Sequence, residues 1–293
     1  MAIDDQILYL KQRGQFVDDY LEFFQQILNL QANQQSKIDK KQLAVLGKTA
    51  DIETRLSSGI PLLEKNAIYL EETIIQSGFS ELFSIFEKYP QQYPSETIDK
   101  LKKIFDKSES LPKEFIQKFI SADRNYFHQL SKDTEIEFNI LIYIARTLSL
   151  PFLNEYSELF KPQLTQVNSI WFRPFCPLCG NMPAMARLEK EVGQRYLWCA
   201  VCHQDWQFSR LQCPNCANED QNSIRYFYDE NDSQYRVYVC EKCKHYIKTV
   251  DERTMAENQQ ASMFLEDIIT HYLDELALKE GYLSMLWWVL SHS

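Results

Sequence analysis

The chain has 293 residues, which is long enough for two domains with buried cores. Only 7 glycines are present and neither GxGxxG nor GxxxxGK[ST] occurs, which argues against nucleotide-binding folds built on glycine-rich phosphate loops. The net charge of −10 disfavours binding to nucleic acid or to anionic membranes. All 8 cysteines lie between Cys176 and Cys243, and this clustering is the most informative feature of the composition.

The acidic charge is unevenly distributed along the chain. Residues 1–170 carry 19 basic and 24 acidic side chains, residues 171–253 carry 11 of each, and residues 254–293 carry 1 and 6. The cysteine region is therefore neutral and lacks the basic stripe that is typical of nucleic-acid-binding modules. The first residues form no signal-peptide core, and the longest apolar stretch is too short to cross a membrane. These patterns predict a cytoplasmic protein.

The first 170 residues predict an all-α N-terminal domain, because apolar residues recur at helical spacing. The stripes expected to form its core are Phe16, Tyr20, Phe23, Phe24, Ile27 and Leu28; Phe115, Phe119, Ala122, Tyr126 and Leu130; and Ile136, Ile140, Leu141, Ile144 and Leu148. The polar stretch from Gln31 to Lys41 predicts a loop. Gly78 predicts a break in a helix from Glu71 to Tyr89, and Pro151 predicts the end of the last stripe.

The periodicity changes from helical to alternating at Trp171. Apolar and polar residues alternate from Ala184 to Leu188 and from Arg195 to Trp198, which predicts one short hairpin. The same alternation from Arg225 to Tyr228 and from Tyr235 to Val239 predicts a second hairpin. The region therefore contains a twofold repeat of one small β motif.

Helical spacing resumes at Glu257 and predicts a C-terminal helix. Its expected apolar face comprises Ala261, Phe264, Leu265, Ile268, Tyr272 and Leu276. The apolar tail from Leu283 to Leu290 is expected to pack on the N-terminal domain or to contact a partner. We thus expect a helical domain at 1–170, β modules at 171–210 and 211–253, and a C-terminal helix with an apolar tail at 254–293.

The cysteines form four CxxC pairs, and each predicted hairpin lies between two of them. A CxxC turn directs two sulfur atoms toward one point, so two facing turns supply the tetrahedral thiolate set of a closed site for Zn²⁺ or a single Fe. The loops between the first and second pairs and between the third and fourth hold 19 and 23 residues, which suits one hairpin each. We predict one metal ion on Cys176, Cys179, Cys199 and Cys202, and another on Cys213, Cys216, Cys240 and Cys243.

The cysteines are compatible with four other interpretations. Cross-braced pairing would join the first pair with the third and the second with the fourth. The sequence Cys199-Ala200-Val201-Cys202-His203 matches the CxxCH pattern of covalent haem attachment, but that assignment leaves the first pair without partners. A thioredoxin-type pair requires a βαβ context, which the sequence does not predict. Iron–sulfur clusters also use four thiolates, although the CPxCG-hairpin-CxxC form favours a mononuclear site.

The cysteine region also carries a family resemblance. Its matching segments are Trp171-Phe172-Arg173-Pro174-Phe175-Cys176-Pro177-Leu178-Cys179-Gly180, Met182-Pro183, Arg195-Tyr196-Leu197-Trp198-Cys199, Cys202, Trp206, Arg210, Cys213, Cys216, and Cys240 to Lys248 with Tyr246-Ile247-Lys248 at its end. In these segments the chain resembles the formate dehydrogenase accessory (formation) protein family. One departure is that glycine follows only the first CxxC pair, whereas His203, Ala217 and Lys244 follow the others.

The resemblance implies a helical N-terminal domain followed by two tandem rubredoxin-like or zinc-ribbon modules. It implies one iron ion per module on the eight cysteines, with zinc as the alternative metal. It also implies a cytoplasmic, non-catalytic assembly factor that binds the catalytic subunit of a molybdenum- or tungsten-dependent formate dehydrogenase before export.

Two other classes of function fit parts of the sequence. A nucleic-acid-binding zinc ribbon could use Tyr226, Tyr228, Tyr235 and Tyr238 to stack bases, although the neutral charge of the region argues against it. A rubredoxin-like one-electron carrier could use the mononuclear iron–thiolate sites.

Overall fold

The computed structural model describes residues 1–46, 52–64, 68–106, 108, 110–167, 170–228, 232–255 and 261–286. The chain divides into two compact units, Met1–Lys48 with Glu64–Leu159, and Thr49–Leu63 with Phe160–Ser293. No helix among the described residues is long and apolar enough to cross a membrane.

The helices in chain order are α1 (Ile3–Arg13), α2 (Asp18–Lys37), α3 (Lys40–Leu46), α4 (Ile52–Ser57), α5 (Glu72–Phe86), α6 (Ser95–Phe105), α7 (Leu111–Ile120), α8 (Arg124–Thr134), α9 (Phe138–Leu159), α10 (Lys161–Leu164), α11 (Met263–Ile269) and α12 (His271–Lys279). The strands are β1 (Met185–Leu188), β2 (Arg195–Trp198), β3 (Asp205–Gln207), β4 (Ile224–Phe227), β5 (Tyr235–Cys240), β6 (His245–Asp251) and β7 (Leu283–Ser284). The predicted fold class, helical at the N-terminus with a small β region and C-terminal helices, is confirmed.

Aromatic side chains form much of the core of the first unit. Phe79 of α5 contacts Phe105 of α6 with ring centroids 4.3 Å apart and Phe115 of α7 at 5.9 Å. Phe23 of α2 contacts Phe86 of α5 at 6.4 Å. Of the predicted stripe aromatics, Phe23, Phe115 and Phe119 are buried, whereas Phe16, Tyr20 and Tyr126 are half-buried. Edge-on and tilted ring pairs add to the burial.

Most of the polar stretch predicted as a loop is helical instead, because α2 continues to Lys37 and α3 begins at Lys40. Its glutamines are partners of α9 rather than solvated linker residues. Gln31 Nε2 donates to the Thr147 carbonyl oxygen at 3.0 Å, and Gln35 Nε2 donates to Glu155 Oε1 at 2.8 Å. Hydrogen bonds to α9 thus stabilise the last turns of α2. These turns lack the regular apolar spacing by which a helix is predicted from sequence.

Pro151 does not end the last helix, since α9 runs on to Leu159. Proline removes one backbone hydrogen bond and frees the carbonyl four residues earlier, which here belongs to Thr147. Gln31 supplies the missing donor to that carbonyl. The helix passes through the proline because a neighbouring helix satisfies the group that proline leaves unpaired.

The structure differs from the sequence prediction at two further positions, one where a predicted helix break is absent and one where an unpredicted break occurs. The helix α5 passes through Gly78 without interruption, and a Cβ atom there would overlap Gln34 Nε2 of α2, so the glycine permits close helix packing. The predicted stripe from Phe115 to Leu130 is divided between α7 and α8. The backbone turns at Ala122, whose φ is +60°, and Asp123 caps α8 by accepting from the Tyr126 amide at 3.1 Å.

The strands of the second unit form one seven-stranded sheet with the order β3-β2-β1-β6-β5-β4, and β7 pairs with the start of β6. Both predicted hairpins are present as the antiparallel pairs β1–β2 and β4–β5. The strands β3 and β6 extend each hairpin to three strands. Parallel pairing of β1 with β6, in the register Met185 opposite Lys248, joins the two cysteine modules into one sheet.

The predicted C-terminal helix consists of two helices, α11 and α12, which meet at Thr270. They are held against the sheet by buried polar contacts. Tyr235 OH donates to Glu266 Oε2 at 2.6 Å, and Lys248 Nζ lies 3.0 Å from Asp267 Oδ1 and 2.7 Å from Asp274 Oδ2. Leu273 and Ala277 are the buried apolar residues of α12, whereas the predicted face residues Tyr272 and Leu276 are exposed.

The start of the apolar tail pairs with the second module. Leu283–Ser284 form β7 and pair with His245 and Tyr246 of the second module. The Leu283 amide also donates to the Lys244 carbonyl oxygen at 2.7 Å. Residues 287–290 of the predicted tail lie outside the described residues, as do residues 257–260 of the predicted helix and 229–231 of the predicted turn.

Candidate metal centres

Each CxxC pair lies in the same backbone turn. The residue after each second cysteine takes a left-handed conformation, with φ of +72° at Gly180, +58° at His203, and +57° at both Ala217 and Lys244. In all four turns its amide donates to the carbonyl oxygen of the first cysteine at 2.8–3.0 Å. This closes a tight loop that leaves both sulfur atoms on one side.

The first centre brings together Cys176, Cys179, Cys199 and Cys202, whose sulfur atoms all lie within 4.8 Å of one another. The shortest separations are 3.4 Å between Cys176 and Cys202 and 3.5 Å between Cys179 and Cys199. All four side chains are buried, with at most 1% of any residue exposed. The first CxxC turn precedes β1, and the second lies between β2 and β3, so the hairpin sets their spacing.

The second centre brings together Cys213, Cys216, Cys240 and Cys243, again within 4.8 Å. Cys213 and Cys243 are 3.7 Å apart, as are Cys216 and Cys240. This centre is less enclosed, because Cys216 and Cys243 are partly exposed. The cysteines therefore group by hairpin, first pair with second and third with fourth, and not in the cross-braced arrangement.

The sulfur geometry fits a tetrahedral ion. A Zn–S distance of about 2.3 Å places the corners of an S₄ tetrahedron about 3.8 Å apart. The closest pairs in the two centres, at 3.4–3.7 Å, are slightly inside that spacing. A closed set of four sulfur donors suits Zn²⁺ or Fe, so both centres are sites that could hold one such ion.

The electrostatics of the first centre favour a cation. Burial raises the pKa of the Cys176 and Cys202 thiols well above the ordinary value. Burial also opposes ionisation of Cys179, but hydrogen bonds from the neighbouring thiols and from Asn181 hold the pKa of Cys179 well below its ordinary value. Cys179 is thus favoured as a thiolate beside Cys176 and Cys202, which resist ionisation, and a set of four thiolates requires a bound positive ion.

The pKa values of cysteines in the second centre are also shifted in opposite directions. Burial raises the pKa of the Cys213 thiol. At Cys240 burial acts in the same upward direction, but backbone amides of Cys243 and Lys242 donate to its sulfur and lower its pKa overall. Amide donors to sulfur stabilise the thiolate form that binds metal.

Two asparagines next to the cysteines were missed by the sequence prediction. Asn181 Nδ2 donates to Cys179 Sγ at 3.4 Å, and Asn218 Nδ2 lies 3.8 Å from Cys240 Sγ. Both side chains are buried. A repeated CPxCxN motif, at Cys176–Asn181 and Cys213–Asn218, was the available signal. Such donors orient metal ligands and tune their charge.

The first CxxC turn is anchored by residues distant in sequence. Trp171 Nε1 donates to the Phe175 carbonyl oxygen at 2.9 Å, and Trp206 Nε1 of β3 donates to the Arg173 carbonyl oxygen at 3.0 Å. The amides of Leu62 and Leu63 donate to the carbonyl oxygens of residues 177 and 178 at 2.8 and 2.9 Å. The segment 61–63 thereby holds this turn in place. No sequence motif predicts this backbone pairing.

The structure assigns different contacts to the residues on which the haem and nucleic-acid interpretations depend. The His203 ring packs against Trp198 at 5.2 Å and Phe264 at 4.8 Å, while the cysteines of its CxxCH motif belong to the first centre. The Tyr226 ring contacts those of Tyr228 and Tyr238 at 6.2 and 5.2 Å. The fourth tyrosine, Tyr235, is buried against Glu266, so the four do not form one base-stacking platform.

Comparison with known proteins identifies relatives of this chain. The family model described as FdhE, central domain, matches residues 175–210, which span the first centre. A protein FdhE homolog of Aquifex aeolicus is 27% identical over 284 residues, covering 96% of this chain and 91% of that protein. The chain resembles the FdhE family. This confirms the resemblance to formate dehydrogenase accessory proteins that the cysteine region predicts.

Other FdhE proteins match over shorter stretches. A protein FdhE homolog of Haemophilus ducreyi is 31% identical over 143 residues, covering 47% of this chain and 45% of that protein. Protein FdhE of Escherichia coli is 28% identical over 113 residues, covering 38% and 35%. The crystal structure of the FdhE protein from Pseudomonas aeruginosa shares the fold, with a TM-score of 0.61 at 16% identity over 96% of this chain and 92% of that one.

Proposed function

We propose that this protein is an assembly factor for formate dehydrogenase and that it carries two metal ions. The observation that carries the proposal is the presence of two four-cysteine clusters in a chain that resembles FdhE proteins over 96% of its length. The proposed ligands are Cys176, Cys179, Cys199 and Cys202 for one ion and Cys213, Cys216, Cys240 and Cys243 for the other.

In the proposed role the protein binds the catalytic subunit of a molybdenum- or tungsten-dependent formate dehydrogenase in the cytoplasm before export, without catalysing a reaction itself. The proposed domains are a helical domain at 1–170, metal-binding modules at 171–210 and 211–253, and a C-terminal region at 254–293. The family resemblance supports iron in both modules, and zinc is the alternative. A bound zinc ion supplies folding energy, and iron supplies a one-electron couple as well.

Affinity purification of the full chain from its native organism tests the partner. The catalytic subunit of formate dehydrogenase is expected to be recovered with the protein, and metal analysis of the same sample is expected to give two ions per chain. Cys213→Ser is expected to lose one ion, whereas Ser233→Ala, an exposed polar change in the same module, is expected to lose none. Deletion of the gene is expected to abolish formate oxidation, and normal activity and assembly in the deletion strain would refute the role.

A one-electron carrier is the second candidate, and the exposure of the second centre favours it. Cys216 and Cys243 reach the surface, so a redox partner could approach the ion closely, whereas the first centre is sealed. Aerobic purification from the native organism tests the carrier role, whereas the assembly role is compatible with either metal. A coloured, reducible iron protein would support the carrier, and a colourless protein with stoichiometric zinc would count against it.

A further inference from the structure

Arg195 is a buried cation that reaches from the first module into the second. It begins β2 in the first hairpin and is 1% exposed. Its Nη1 donates to the Gln212 carbonyl oxygen at 3.1 Å, and Gln212 immediately precedes Cys213. The guanidinium also lies 4.9 Å from the ring centroid of Tyr238, a residue of β5. The side chain is therefore directed toward the second centre although its strand belongs to the first module.

No carboxylate within the described parts of the chain pairs with this guanidinium. Its Nε and Nη2 are buried and have no hydrogen-bond partner. Burial lowers the pKa of Arg195 to about 10, and nearby Arg210 adds to the lowering, while Tyr238 and Cys213 oppose it. The side chain stays charged at neutral pH. A buried charge without a counter-ion is costly, so a negative group nearby is needed to explain it.

The second cysteine cluster lies beside Arg195 and becomes negative when its cysteines ionise to bind a metal ion. Arg195 lines a cavity of about 20 Å³ together with Cys213 and Cys240, and this space is large enough for about one water molecule. Apolar residues make up most of the remaining wall, including Pro214, Ile224, Val239 and Ile247. Arg195 and two cysteines of the second centre thus line one small, largely apolar space in which charges interact strongly.

We propose that Arg195 is a positioning residue of the second metal centre, where its charge offsets the negative charge of four thiolates around a divalent ion. The inference rests on the metal binding proposed above. The arrangement is reciprocal: the metal–thiolate cluster supplies the counter-charge that Arg195 lacks, and Arg195 favours the ionised thiolates. It also makes an intact first hairpin a requirement for tight binding in the second module.

Competition between a chelator and the zinc-loaded full chain tests this. Cysteine alkylation by iodoacetamide, read by mass spectrometry at rising EDTA concentration, reports each centre separately. For Arg195→Met we expect protection of Cys213, Cys216, Cys240 and Cys243 to be lost at about tenfold lower EDTA, a typical loss for a residue that supports metal ligands. Protection of the first-centre cysteines is expected to stay at the wild-type level, which also shows that the fold is intact.

Two further variants separate charge from packing. Arg195→Lys keeps the charge and is expected to restore most of the protection at the second centre. Arg225→Met removes one positive charge from an exposed position of β4 outside the cavity wall, and it is expected to match the wild type. Unchanged protection in Arg195→Met, equal loss at both centres, or no rescue by lysine would overturn the inference alone. Absence of protection at the second centre in the wild type would instead overturn the proposed metal binding.

Discussion

At the scale of single residues, four positions carry the same backbone requirement with four different side chains. Gly180, His203, Ala217 and Lys244 all adopt φ between +57° and +72° and close their CxxC turns with the same hydrogen bond. A residue with a Cβ atom pays roughly 1–2 kcal/mol for this conformation, which glycine avoids. The missing glycines therefore leave the turn geometry unchanged and reduce its stability.

Ala217 is the position at which this cost can be tested most simply. Replacing Ala217 with glycine is expected to stabilise the metal-loaded second unit by about 0.5–1 kcal/mol, because relief of left-handed strain exceeds the entropy that glycine adds to the unfolded chain. Denaturant unfolding followed by intrinsic fluorescence measures the change. The matched variant Ala186→Gly lies in extended β1 and is expected to destabilise the protein. A fall in stability for both variants would contradict the argument.

The grouping of the eight cysteines into two clusters could be predicted from the sequence, because a CxxC turn is local and its two sulfur atoms have a fixed relation. Asn181 and Asn218 were missed although the repeated CPxCxN motif contains them, because the motif does not show whether the amide points toward sulfur or toward solvent. The anchors Leu62 and Leu63 lie more than 100 residues before the first cysteine they support. Long-range backbone pairing of that kind leaves no periodic trace in the sequence.

At the scale of elements, helices with a regular apolar face could be predicted from the sequence. The prediction of helix ends failed where polar contacts with another helix determine how far the helix extends. The stretch from Gln31 to Lys37 is helical because its glutamines bond to α9, and α9 passes Pro151 because Gln31 compensates for it. The central strand β6 was not predicted from the sequence pattern. The start of this strand, up to Lys248, was identified only as a segment of the family resemblance. The strand is buried on both faces, so it does not show the alternation by which a half-exposed strand is recognised.

The pairing of Gln31 with Pro151 can be tested by a double-mutant cycle. Gln31→Ala leaves the nearly buried Thr147 carbonyl without its donor and is expected to cost about 1–3 kcal/mol of stability. In a Pro151→Ala background the new amide at position 151 can bond to that carbonyl, so the same Gln31→Ala change is expected to cost much less. Urea unfolding of the four proteins gives the coupling free energy. A cost of Gln31→Ala that is equal in both backgrounds would refute the mechanism.

Lys248 is the main polar anchor between the sheet and the C-terminal helices. Burial alone would lower the pKa of Lys248, but Asp267 and Asp274 outweigh it and hold the pKa above the ordinary value. Lys248→Met breaks the buried cluster and leaves both carboxylates without their cation, so a loss of about 3 kcal/mol is expected. Hydrogen exchange in α11 and α12 should increase accordingly. Lys279→Met, an exposed change at the end of α12, is expected to leave exchange unchanged, and equal effects of the two variants would contradict this role.

At the scale of the whole molecule, the two cysteine modules share one sheet but offer their centres to solvent differently. Parallel pairing of β1 with β6 makes their strands continuous. All four cysteines of the first centre are buried, whereas Cys216 and Cys243 of the second centre are partly exposed. Access to the first ion therefore requires local unfolding, and access to the second does not.

This difference predicts that a chelator removes the two ions in order. Zinc release from the loaded protein to excess EDTA is expected to be biphasic, with the second centre losing its ion roughly tenfold faster or more, because the sealed centre must open first. Cys216→Ser is expected to remove the fast phase and Cys179→Ser the slow phase, which assigns each phase to its centre. A denaturant concentration below the unfolding transition should accelerate the slow phase selectively, since it promotes the opening on which that phase depends. A single phase, or a slow phase that disappears in Cys216→Ser, would show that the enclosure of the first centre does not govern the release of its ion.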